Sequence, residues 1–140
     1  MRMTLPALII PLLLLNVVSP EAQGEDHLQT LQGEWTVAAA EQRGRPFDVI
    51  VGGVLTITGD RFALLTATGN EFQGQIRIDA TQSPGHLDFV HDDGLVWEAI
   101  YVAQPDFFRL NYVEADADTR RPTLFATTAD TPGTVIVMQR

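Results

Sequence analysis

From residue 33 onward the chain alternates apolar and polar side chains with a period of two, the pattern of strands that bury one face. "WTVAA" sets Trp35, Val37 and Ala39 against Thr36 and Ala38. "VLTIT" (54–58), "TGDR" and "FALLT" (62–66) predict a hairpin that turns at Gly59–Asp60, and Gly69–Asn70 ends its second strand. In "EFQGQIRID" (71–79), Phe72, Ile76 and Ile78 share one face, with Glu71, Gln73, Gln75, Arg77 and Asp79 on the other. Gly74 interrupts that apolar face, predicting a bend or bulge and leaving room beside Phe72. "HLDFVH" (86–91) follows the turn "SPG", "LVWEAIYV" (95–102) and "FFRLNYV" (107–113) are joined by "AQPD", and "TVIVMQR" (134–140) comes last. Ahead of them all, "EDHLQTLQ" (25–32) predicts one or two helical turns, with Asp26 as N-cap and Leu28 and Leu31 on a common face.

Eight short strands with mostly tight connections define an all-β, antiparallel meander. Closure into a barrel removes its exposed edges. Two connections are longer, 41–53 and 114–133. The second is too long for a structureless loop in a compact domain, and an extra strand is expected around "TLFAT" (123–127). Alternation points Phe62, Leu64, Phe72, Ile76, Phe89, Leu110 and Tyr112 inward. The aromatic set Phe62, Phe72, Phe89, Phe108 and Tyr112 therefore either fills the interior or lines a ligand cavity. An eight-stranded barrel lies at the boundary between those outcomes. The expectation is at most a small apolar cavity near the open end, bordered by the 41–53 loop.

The first 24 residues read as a signal peptide. Arg2 precedes an apolar run, 5–18, broken only by Asn16. That run is shorter than the roughly 20 residues of a membrane span, and Pro6 and Pro11 weigh against a spanning helix. "AQG" (22–24) fits a small-x-small cleavage site, so a mature domain of residues 25–140 is expected outside the cytoplasm, periplasmic or extracellular, with no membrane insertion after cleavage. The chain has no Cys, so packing alone must stabilise it in an oxidising compartment. Its net charge of −9 repels phosphate backbones and makes nucleic acid an unsuitable partner.

A short helical turn, then Gly33-x-Trp35 entering the first strand of an eight-strand meander, resembles the lipocalin-type barrel. That resemblance implies that Trp35 lies across the closed end of the barrel and that Arg140, from the last strand, stacks on its ring. Gly33, Trp35 and Arg140 are thus expected to be structural. "LQGEWTVAAAEQRGRP", "LTITGDRFAL", "FQGQIRIDATQSPGHLDF", "AIYV" and "RPTLF" before a final "VIVMQR" also resemble a family of small secreted bacterial proteins best known from planctomycetes. The sequence departs from that pattern at "QPDFFRL", where a Gly–Asp turn is expected before the strand. The resemblance implies a lipocalin-like barrel and an extracytoplasmic location, and it brings no catalytic residue with it.

No catalytic constellation stands out, and neither an enzyme nor a cofactor is expected. "HLDFVHDD" gathers His86, Asp88, His91, Asp92 and Asp93, residue types that ligate metals. Strand alternation separates them, with His86 and Asp88 on one face and His91 on the other. Ser83 is the one serine of 25–140 and lies in a turn. Glu98 is read as an outward residue of its strand. "RGRP" (43–46) is read as a solvated loop, and the Arg120–Arg121 charges as pairing with the neighbouring "EADAD" acids. An enzyme working through a carboxylate pair is the third reading, behind two others. One is an interaction or structural module of the cell envelope, with an envelope protein as partner. The other is a carrier of a small hydrophobic molecule. Interior volume discriminates between them.

Overall fold

A computed structural model describes residues 19–140, and the apolar run 5–18 lies outside the described residues. Helix α1 (Pro20–Leu31) leads into strand β1 (Gly33–Gln42), a two-residue strand β2 (Arg45–Pro46) and a 3-10 turn (Asp48–Ile50). Strands β3 (Val54–Thr58), β4 (Arg61–Leu65), β5 (Glu71–Asp79) and β6 (Gly85–His91) follow, then β7 (Val96–Gln104), β8 (Phe107–Glu114) and β9 (Thr134–Gln139). Each strand from β3 to β9 pairs antiparallel with the next, and β1 pairs with both β3 and β9. The result is a closed, lipocalin-like eight-strand meander barrel, with β2 as an extra strand on β1.

The hairpin at Gly59–Asp60 and the alternation of β5 and β6 are as the sequence implies. The β7–β8 ladder runs unbroken to Gln104↔Phe107, so the "QPDF" turn keeps register without a Gly. Several expectations are corrected. Helix α1 starts at Ser19–Pro20, not Asp26. The Ser19 hydroxyl accepts from the Ala22 amide at 3.3 Å, and Pro20 has no amide to leave unpaired. That cap lies within residues 1–24, whose composition reads as a leader and carries no strand or helix period. In β1 the inward series is Trp35, Val37, Ala40, not Ala39. The β1–β9 register shifts between Val37 and Ala39, and this bulge moves the following residues onto opposite faces.

Gly74 leaves no room. The β4–β5 and β5–β6 ladders are regular through it, so it is not a bulge. A Cβ there would strike the Val90 carbonyl oxygen, with the His91 Cα and the Phe62 ring each 2.8 Å away. The glycine is needed because β6 and the Phe62 ring approach the backbone closely.

Residues 115–133 contain no strand, so the one expected around "TLFAT" (123–127) does not form. They make a strap bound to the outside of β6, β7 and β8 by side chains. Arg121 donates to the Ala99 carbonyl at 2.7 Å and to the Asp88 carboxylate at 2.6 Å. The Asn111 amide donates to the Leu124 carbonyl at 2.8 Å, and the Arg109 guanidinium lies 4.3 Å over the Phe125 ring. At its far end the Thr127 hydroxyl donates to Glu41 at 2.7 Å and accepts from the Gly44 amide at 2.8 Å. The outward-facing Ile100, Asn111 and Val113 are buried in consequence. These contacts also correct the pairing of Arg121. Its partners are Asp88 and, at 3.7 Å, Glu98, instead of the "EADAD" acids. Asp116 of that run instead accepts from the amides of Asp118 and Thr119.

Candidate functional site

The two ends of the barrel differ. One end is shut by α1 and by a clamp on Trp35. The Trp35 ring is 0% exposed, meets Phe108 edge-on at 5.4 Å, and donates through Nε1 to the Leu31 carbonyl at 2.9 Å. The Arg140 guanidinium lies 3.9 Å over the indole. It also donates to the carbonyls of Pro105 (2.6 Å), Gln32 (2.5 Å) and Thr30 (2.6 Å), tying the last strand to the end of α1 and to the β7–β8 turn. Gly33 has a positive φ of 103°, and a Cβ there would lie 2.9 Å from the Arg140 guanidinium. Two requirements therefore select glycine, the turn into β1 and the passage of the arginine. His27 and the Tyr101 hydroxyl share a 2.6 Å hydrogen bond that holds α1 on the barrel. Burial, assisted by the Asp79 charge, pushes the Tyr101 hydroxyl up to about 12, so it stays protonated at this seam.

The other end is a mouth. A cavity of about 350 Å³ opens there, between the 3-10 turn and the upper ends of β1, β4, β5, β7, β8 and β9. Phe47, Val49 and Ile50 roof it, Phe72, Trp97 and Tyr112 form its aromatic wall, and Gln42, Thr66, Thr68 and Asn70 place polar groups around it. None of its lining residues is charged. Below it the barrel is nearly filled. A pocket of about 30 Å³ remains among Leu55, Phe62, Phe89, Leu110 and Met138, sharing Val37, Leu64, Trp97, Tyr112 and Ile136 with the mouth. Its apolar walls make it a poor place for an ordered water.

The aromatic candidates thus divide by height. Phe108 lies against Trp35 at the closed end. Phe62 and Phe89 pack edge to face at 5.1 Å in the filled middle. Phe72 and Tyr112 belong to the mouth. The centre of the wall is Trp97, 4.7 Å from Tyr112 with the rings inclined by 31°, and 5.5 Å from Phe72. Sequence reasoning passed over Trp97 as an inward residue, although it stands one ladder step from inward Phe89. It also passed over Phe47, Val49 and Ile50, which no strand period announces.

His91 completes the wall from behind. It is 4% exposed, its ring is 4.2 Å from Trp97 and 5.7 Å from Phe72, and its Nε2 has no partner. Burial pushes its pKa down, partly offset by the Asp93, Asp92 and Glu114 charges, so the ring is neutral at pH 7. Burial likewise pushes the Tyr112 hydroxyl up and keeps it protonated. His86 and Asp88 face outward, on the opposite side of β6 from His91. Among the described residues no group of three or more His, Cys, Asp or Glu lies close enough to hold a metal ion, and no helix is long and apolar enough to cross a membrane. Comparison with protein-family models, with curated proteins and with solved structures returned no match to this chain.

Proposed function

We propose that the protein is an exported, non-catalytic binding barrel whose mouth takes a small hydrophobic molecule. The observation that carries this reading is the uncharged mouth of about 350 Å³ with Trp97 and Tyr112 side by side in its wall. That volume lies at the lower end of ligand pockets, roughly 300–1,000 Å³. The mouth also offers the few polar groups that fix a ligand's orientation, in Gln42, Asn70 and the Tyr112 hydroxyl. The filled middle of the barrel limits depth, so affinity is in the micromolar range. Export is supported by Arg2, the apolar run 5–18 and "AQG". Intact-mass measurement of the protein recovered outside the cytoplasm is expected to show loss of residues 1–24, and retention of those residues would contradict cleavage.

The test of binding is titration with a neutral environment-sensitive dye such as Nile red. Saturable one-to-one binding that is lost in Trp97→Ala, in a variant still folded by circular dichroism, is the expected result. The reading as an envelope module draws on the filled lower interior and on Leu124, 70% exposed on the outer strap. Absence of any saturable binding would favour that module over the carrier.

A further inference from the structure

The mouth has a second compartment. About 480 Å³ opens between the upper ends of β7 and β8 and the far end of the strap, sharing Gln42, Phe72, Trp97 and Tyr112 with the uncharged compartment. Its two charged lining residues are Glu114 and Asp116. Asp116 stays ionised because the Asp118 and Thr119 amides each donate to its Oδ1 at 2.8 Å, which holds its carboxyl below the usual range. Neither compartment has an arginine among its lining residues, and the whole chain carries −9. A ligand spanning both would have its body against the aromatic wall and its head beside two carboxylates. An anionic head there would lie beside two like charges, which is unfavourable. A cationic head meets both carboxylates and the faces of the aromatic rings.

The geometry points to a charge-selective mouth: its ligand is a small amphiphile with a flat apolar body on Trp97 and Tyr112 and a cationic head toward Glu114 and Asp116. This inference rests on the mouth being a binding site, and the test separates the two claims. Three probes share a naphthalene ring and differ in head group: 2-naphthylmethylammonium, 2-naphthylmethanol and 2-naphthoate. Each is titrated into the purified protein by calorimetry at low ionic strength. The ammonium is expected to bind tightest and the carboxylate weakest, with about tenfold between them, as two exposed charge pairs supply. That ratio should shrink in about 0.5 M salt, where screening acts over a few ångströms. It should also shrink in Glu114→Gln with Asp116→Asn, which leaves the Asp118 and Thr119 amides an acceptor. Equal affinities for all three probes, or tightest binding of naphthoate, would overturn the charge selection and leave the binding site standing. Failure of naphthylmethanol to bind would overturn the binding site and the selection with it.

Discussion

Breaking the clamp at the closed end isolates one contact that both the sequence pattern and the geometry single out. Trp35→Ala removes a fully buried ring together with its Nε1 bond to Leu31, a change that costs about 3–5 kcal/mol. That is a large share of the roughly 5–15 kcal/mol that stabilises a domain. Arg140→Ala removes a cation–π contact at 3.9 Å and three bonds to main-chain carbonyls. The arginine is exposed, so water replaces much of what those bonds supply, and about 1–2 kcal/mol is expected. The carbonyls of Thr30, Gln32 and Pro105 keep their arginine partner when the indole is absent. Only the cation–π share is therefore common to both residues, and the coupling is expected at about 0.5–1 kcal/mol. Urea unfolding of the four members of the cycle, followed by circular dichroism, measures it. Trp35→Leu replaces Trp35→Ala if the alanine variant does not fold. Additivity within about 0.3 kcal/mol would refute the stacking, though not the barrel.

Three further outcomes follow from single sites. Gly74→Ala must push its methyl into the β6 backbone and the Phe62 ring, so a loss of about 3 kcal/mol or more is expected in the same unfolding assay. Wild-type stability there would contradict the close approach. Arg121→Ala leaves Asp88 and the Ala99 carbonyl unpaired beneath the strap. It should expose 114–133 to limited proteolysis at a cost of about 1–2 kcal/mol, and an unchanged cleavage pattern would contradict the anchoring. His91 has a folded pKa below its ordinary value, so the unfolded chain binds its proton first as pH falls. Its contribution is complete above about pH 6.5 and is lost below it, by at most about 1.4 kcal/mol per pH unit. The lowered carboxyls of Asp79, Asp92 and Asp116 act only at more acid pH. Comparing unfolding at pH 7.5 and 5.5, His91→Phe should flatten the dependence, and an unchanged slope would remove His91 as its source.

The legible part of the fold is the part that local periodicity governs. Phe72, Ile76 and Ile78 announce the inner face of β5, Leu87 and Phe89 that of β6, and the order of eight strands follows from their number and short turns. Trp35 and Arg140 were legible together because one opens and the other follows the strands that close the barrel. What escaped is set by contacts distant in sequence. The bulge after Val37 exists because β1 leaves β3 and continues along β9, and "TVAAA" carries no mark of that exchange. Arg121 finds Asp88 and Glu98 across the outer face of the barrel, while nearer acids in the chain misdirect a local reading. Gly74 looks like a gap in one strand and is filled from its neighbours on both sides. The mouth was anticipated as a small apolar space by the 41–53 loop. Its tryptophan and its acidic second compartment depend on β7, β8 and the strap meeting, which strand alternation alone does not bring together.

The measurement that bears most directly on the mouth as a binding site is amide and aromatic chemical-shift mapping by NMR during titration with 2-naphthylmethanol. Shifts are predicted at Trp97, Tyr112, Phe72, Phe47 and Ile50, saturating together with a single dissociation constant, while Trp35 and Phe108 at the closed end stay unmoved. Shifts confined to the outer strap, or none at saturating probe, would contradict it.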